Sequence, residues 1–339
     1  MRLTLHIGTE KTGTTTIQRF MYVNRLSLAE QGILVPMSPG KINQRKLPVI
    51  AYNPDRADEF IKQQKLAGPV QRAEAVKLWW EEFCEEVSQF GGQRVVVSSE
   101  HFQSRLRTRE EIIRLHGLLS SVFDQIDVIL YLREPVQTAV SLFSTAVRSG
   151  SDMVTVPGPE NEYFRNIVNH RQTIQVWSEI LGAQNMRIRL FEKGCFHKGN
   201  LLDDFIHVAE LPALDYTFPP PQNESLSNLG IDVLSRINAR HLERVASGKP
   251  DPRYERILAV LCNIFTKGAA HVPAPELVQA YREAFAESNE WVRQNFFPNR
   301  EQLFRDPDYG SKARPVQLPE AELQALCDVI ETLAGKPPA

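Results

Sequence analysis

A loop reading Gly8-Thr9-Glu10-Lys11-Thr12-Gly13-Thr14-Thr15 stands between an alternating apolar stretch, residues 2–7, and a run of helical spacing. In such a loop successive backbone N–H groups and the following helix N-terminus converge on one point, which suits a phosphate or sulfate. Gly8 and Gly13 permit tight curvature, Lys11 brings a cation, and Thr12, Thr14, Thr15 and Thr16 add hydroxyl donors. The plainer alternative is a strand-to-helix turn whose threonines cap the helix. A second cluster follows the apolar run VILYL: Arg133 ends it, Pro135 suits a first helical position, and Ser141 falls two turns further on. Taken alone, an Arg at a strand end followed by Pro is more often a structural charge than a ligand. A third cluster, Ser98-Ser99-Glu100-His101, ends the apolar run RVVVSS. Glu and His are the residue types that take a proton from a hydroxyl. The structural reading of Glu100 is a carboxylate favoured by a helix dipole.

The elements that must position these groups follow from periodicity. Over the first 150 residues the chain reads strand, helix, helix, strand, helix, strand, helix, with short, near-continuous apolar strands of the kind buried on both faces of a parallel sheet. The expected fold is α/β: a central parallel β-sheet flanked by helices, with a mainly α-helical C-terminal part. Ligands of such sheets bind outside the carboxyl ends of the strands, so the loop at 8–16, Glu100 and Arg133 should face one crevice. Residues 35–69, rich in Pro, Asn, Gln and charge, read as an irregular insertion forming a lid, an acceptor wall or a plain surface loop. One amphipathic helix carrying Ile167, Ile174, Trp177 and Leu181 should end at Gly182, and Asn200 should cap the helix after it. His6, Trp79, Trp80 and Trp177 read as core residues.

A Walker A loop needs a lysine directly after its second glycine, where this chain has Thr14, and the acidic metal partner expected of such sites is also missing. Instead the residues Glu10-Lys11-Thr12-Gly13-Thr14-Thr15, with Arg133 followed eight positions later by Ser141, resemble the sulfotransferases that use 3′-phosphoadenosine 5′-phosphosulfate (PAPS). In that family the first motif reads PKSGTT or PKTGTT, and the resemblance extends over about residues 1–240 through VVVSSEHF, residues 189–211 and residues 223–227. It implies a P-loop-related fold in one domain over 1–339, with a nucleotide-binding α/β core at 1–225 and a helical part at 226–339. Carried over by position, Lys11, Thr12, Gly13, Thr14, Thr15 and Thr16 would bind the 5′-phosphosulfate, and Arg133 and Ser141 the 3′-phosphate. Lys198-Gly199 and Asn223 to Ser225 fall near nucleotide-contacting segments of the family. Lys11 would stabilise the leaving oxygen, and Glu100, with His101 as second choice, would be the base. PAPS would be the co-substrate, 3′-phosphoadenosine 5′-phosphate the product, no metal would be needed, and the acceptor would be a carbohydrate, glycolipid or small-molecule hydroxyl. Glu10 departs from the family's proline and must point away from the anion or pair with a cation.

Composition sets outer bounds. Lys plus Arg number 39 against 41 Asp plus Glu, a formal charge of −2, so no global basic field is available for nucleic acid or an anionic bilayer. No apolar run approaches the ~18 residues of a membrane span, and no signal-like segment is evident, which reads as a cytoplasmic protein. Four separated cysteines form no CxxC pair and read as reduced and structural. Two other functions stay open: a nucleotide or small-molecule kinase with a deviant P-loop, and a non-catalytic protein that binds the adenosine bisphosphate.

Overall fold

The computed structural model describes residues 1–56, 58–66, 68–220, 225–307, 309 and 318–334. The elements in chain order begin β1 (Arg2–His6), α1 (Thr14–Glu30), β2 (Ile33–Leu34), α2 (Lys46–Ile50), α3 (Glu59–Gln63), α4 (Pro69–Gln89), β3 (Arg94–Ser98), α5 (His101–Arg105), α6 (Arg109–Ser120) and β4 (Gln125–Leu132). They continue with α7 (Pro135–Arg148), α8 (Glu162–Val168), α9 (His170–Leu181), β5 (Met186–Leu190) and α10 (Leu201–Val208), then α11 (Asn228–Ala246), α12 (Tyr254–Ile264), α13 (Pro275–Phe296) and α14 (Glu320–Ala334). The α/β class and the helical C-terminal part are as the periodicity implied.

The chain forms two compact units. The first comprises Met1–Glu134, Asn166–Gln222 and Glu287–Phe304, and holds the five-stranded sheet in the order β2-β3-β1-β4-β5. Every pairing is parallel, with Leu5 opposite Val97 on one side and Val128 on the other. Alternation along the strands divides the core in two, as a period of two requires. Leu3, Leu5, Val95, Val97, Val128 and Leu130 face Trp79, Phe83, Ile174 and Trp177 from the helices on one side. Val96, Ile129 and Tyr131 face Ile17, Phe20, Met21 and Phe205 on the other. Because both faces are covered, the centres of β3 and β4 are continuous buried apolar runs, Val95–Val97 and Val128–Leu132, which is why these runs lack a polar phase. His6 is fully buried on the second side, bonded through Nδ1 to Ser98 Oγ at 2.8 Å and edge-on to the Tyr131 ring.

The second unit comprises Pro135–Arg165, Asn223–Ala286 and Arg305–Ala339. Within it Asn238 on α11 donates to the carbonyls of Val147 and Ser151, and its Oδ1 accepts from the Tyr254 hydroxyl at 2.8 Å. These bonds tie α7, α11 and α12 together by a buried amide whose polar atoms are all used.

Two sequence expectations need correction. Residues 35–69 are not simply irregular: they contain α2 and α3, and they bury Leu47, Val49, Ile50, Tyr52 and Ile61 in the first core cluster. Gln44, with no exposed surface, fixes the segment to the end of β3, accepting from Ser98 N through Oε1 and donating from its own N–H to Ser98 O. The single helix expected to carry Ile167 through Leu181 is two, α8 and α9, broken at Asn169, whose side chain accepts from Gln172 N as an N-cap.

Candidate active site

The loop after β1 stays attached to the sheet as it leaves it. Thr9 donates from N and Oγ1 to Tyr131 O, and Tyr131 N donates to Gly8 O at 2.8 Å. Thr12, also fully buried, donates its hydroxyl to Thr9 O at 2.6 Å, so this side chain shapes the turn. The chain then turns through two left-handed residues, Lys11 at φ 67° and Gly13 at φ 73°. Gly13 caps α1 without any side-chain bond, and the first turn of α1 carries no acidic residue. The opening N–H groups of this 17-residue helix therefore keep their positive end uncompensated by the helix's own side chains.

Arg133, just beyond β4, donates from Nη1 to Lys11 O at 2.8 Å, and its guanidinium lies 5.6 Å from the centroid of the Phe191 ring. Its own carbonyl accepts from His170 Nε2 at 2.9 Å. Burial pushes His170 down to about 4, so this imidazole is a neutral donor at neutral pH. Lys11 and Arg133, read separately from the sequence, thus meet within the first unit, at the carboxyl edge of β1 and β4, where the strand order reverses. Ser141 is half-buried on α7 in the second unit.

Glu100 closes the other side of the loop. A Cβ placed on Gly8 would stand 3.1 Å from Glu100 Cα, so the turn after β3 packs directly on the loop after β1. The carboxylate does not cap α5; its Oε2 accepts from Gln18 Nε2 on α1 at 2.7 Å and from Asn43 Nδ2 at 3.0 Å. Burial raises its pKa above the ordinary carboxylate range, and the nearby Glu10 adds to the rise, against the lowering by its own backbone N–H and by Gln18. His101, half-buried beside it, is pushed down to about 3 by burial and then by Arg45 and Arg105, so its neutral imidazole is too weak a base to hold a transferred proton near neutrality. Of the two sequence candidates for a base, Glu100 is the one whose environment moves it toward working pH. Glu10 pairs with Arg105 of α5 at 3.7 Å, the cation that its departure from the proline motif called for.

Lys198 and Gly199 form a left-handed turn, with Lys198 exposed and 3.9 Å from Asp203. The buried Asp204 holds this turn, accepting from His197 N at 2.7 Å, from the Tyr131 hydroxyl at 2.8 Å and from Arg189. Burial alone would raise the Asp204 carboxyl, but Arg189 and these donors bring it below its ordinary value. Asn200 caps α10 as expected, through Leu202 N and Asp203 N. Asn223 and Glu224 lie outside the described residues. All four cysteines are free. Among the described residues no three His, Cys, Asp or Glu side chains converge as for a metal ion, and no helix is long and apolar enough to cross a membrane.

Sequence reasoning missed Gln18, Asn43 and Arg105. Gln18 and Asn43 are amides without any spacing signal, and Arg105 lies 95 residues from Glu10 with no local hint of the pairing.

No protein-family model matches the chain, and no curated protein matches its sequence. Among solved structures, the crystal structure of a sulfotransferase from Alicyclobacillus acidocaldarius is similar at a TM-score of 0.41 and 13% identity, covering 75% of this chain and 98% of that one.

Proposed function

We propose that the chain is a PAPS-dependent sulfotransferase, acting on an acceptor hydroxyl of a carbohydrate or glycolipid. The observation that supports this reading is the bond from Arg133 to the Lys11 carbonyl, which brings these two residues together at one sheet edge beside a carboxylate of raised pKa. The fit to a doubly anionic nucleotide is chemical. A glycine-capped helix start without acidic residues suits one anion, a buttressed guanidinium suits a second, and the one intruding carboxylate of the loop, Glu10, is paired. The backbone of Lys11, Thr12, Gly13, Thr14, Thr15 and Thr16 would hold the 5′-phosphosulfate, with hydroxyl help from Thr14, Thr15 and Thr16. Arg133 and, by its spacing in the sequence, Ser141 would hold the 3′-phosphate.

When bound, PAPS supplies the sulfuryl group and a bisphosphate leaving group. Lys11 stabilises charge that grows on the leaving side, and Glu100 accepts the acceptor's hydroxyl proton. Positioning and electrostatics supply most of the rate in in-line transfers of this type, and no metal is invoked. The same reading makes the protein a cytoplasmic enzyme of one functional domain.

The test is a thermal titration in chelator with 3′-phosphoadenosine 5′-phosphate and with ATP, on the parent protein and on Lys11→Ala and Arg133→Ala. Saturation at 100 times the dissociation constant should stabilise the fold by about 2.7 kcal/mol, with the bisphosphate alone and in the parent alone. A magnesium-dependent shift with ATP, and none with the bisphosphate, overturns the reading and points to a kinase. A bisphosphate shift with no sulfuryl transfer to any hydroxyl acceptor leaves a binding protein.

A further inference from the structure

We propose that Asn43 is a positioning residue for Glu100: with Gln18 it grips the carboxylate by Oε2, so that Oε1 is the atom presented for proton transfer. The proposal rests on Glu100 serving as the base. Asn43 lies just before α2, in the segment that sequence alone read as an irregular wall, and the structure turns it inward. Ser99 Oγ donates to Asn43 Oδ1 at 2.7 Å, which fixes the amide orientation and aims Nδ2 at Glu100 Oε2, 3.0 Å away. Gln18, 2% exposed on α1, reaches the same oxygen at 2.7 Å. The other donor to the carboxylate is Glu100's own backbone N–H, and among the described residues no side-chain donor bonds Oε1. The segment cannot drift, because neighbouring Gln44 is bonded to both backbone groups of Ser98.

Two donors on one oxygen do two things. They lock the carboxyl rotamer, and they favour the ionised form that a base needs against the burial that opposes it. The charged groups facing Glu100 are Glu10 from the loop after β1, which opposes ionisation, and Arg45 from the start of α2, which favours it. His101, next in the chain, is uncharged near neutrality and adds no field. Asn43 therefore contributes a directed donor where the two facing charges act in opposite directions.

The experiment follows the protonated-carboxyl infrared band of Glu100, identified by its loss in Glu100→Gln, through a pH titration of the full chain. Asn43→Leu should raise the midpoint by about 1 pH unit, the size expected for losing one donor to a charged group. Ser99→Ala, a milder change that frees the amide, should raise it by less. With PAPS and an acceptor, the acid limb of kcat/KM should move by the same interval while KM for the nucleotide stays fixed. A midpoint unmoved in both folded variants overturns the proposal, even if Glu100→Gln abolishes turnover. A midpoint that moves as stated supports the clamp, and if the parent protein then transfers no sulfuryl group, it is the sulfotransferase reading that falls.

Discussion

Gly13 is the residue on which the loop's shape depends most directly. Its φ of 73° lies in the left-handed region, and a Cβ there would sit 2.3 Å from Leu201 Cδ2. Gly13→Ala should cost about 1–2 kcal/mol from backbone conformation alone, seen as a lower urea midpoint at unchanged slope. Adding Leu201→Ala should recover only the part of the loss due to the clash, so the double-mutant cycle separates contact from conformation. The glycines, the lysine and Arg133 were legible from sequence because their chemistry is local: residue type and spacing carry it. Glu100 was legible as a strand-end carboxylate, but its protonation behaviour was not, since that comes first from burial and is moderated by groups such as Gln18, which lies 82 residues away. Thr12 was overread, because a hydroxyl in a tight turn finds the nearest carbonyl first.

The long elements were legible for a similar reason. α1, α4, α6 and the four longer strands each carry a period or a continuous apolar run that fixes its own conformation. The short elements of residues 35–69 are ordered from outside. Glu111 of α6, fully buried, accepts from Asn53 N and from the Arg56 guanidinium, while Arg114 donates to the carbonyls of Ala51 and Tyr52. A five-residue helix has too few internal bonds to hold itself, so no local pattern announces it. Glu111→Ala should cost about 3–5 kcal/mol by leaving Arg56 and several backbone N–H groups without their acceptor. It should also open residues 51–58 to limited proteolysis under native conditions. A change that leaves both the urea midpoint and the digestion pattern intact would show that the segment holds itself.

At the scale of the whole molecule, buried titratable groups set the response to acid. Burial pushes His6 and His101 down to about 3 and His170 to about 4, so the folded protein keeps them neutral while the unfolded chain takes up protons near 6.5. Stability should therefore begin to fall as pH drops below about 6.5 and keep falling toward 4. Glu111 and Asp204 have the opposite shift relative to charge, lowered pKa values, so their contribution is present above the unfolded carboxylate value and is lost as pH falls through the folded one. Glu100, raised, acts against both by taking its proton in the folded state first. Thermal midpoints measured from pH 8 to 4 should decline in two successive stages, and His170→Asn should flatten the first. A midpoint constant between pH 7 and 5 would contradict the buried neutral histidines.

The strand order carries a cost in time. β1 occupies the middle of the sheet, yet it is synthesised before its partners β3 and β4, which follow it by most of the first half of the sequence. At about 5–20 residues per second, Leu5 waits roughly 6–25 s before Val128 is even synthesised. Until β3 is made, Leu3 and Leu5 lie on a strand with both edges unpaired, and until β4 is made the loop after β1 has no Tyr131 carbonyl to fasten it. A translation product that stops before β4 can neither complete the sheet around β1 nor fasten the loop after β1 through Tyr131.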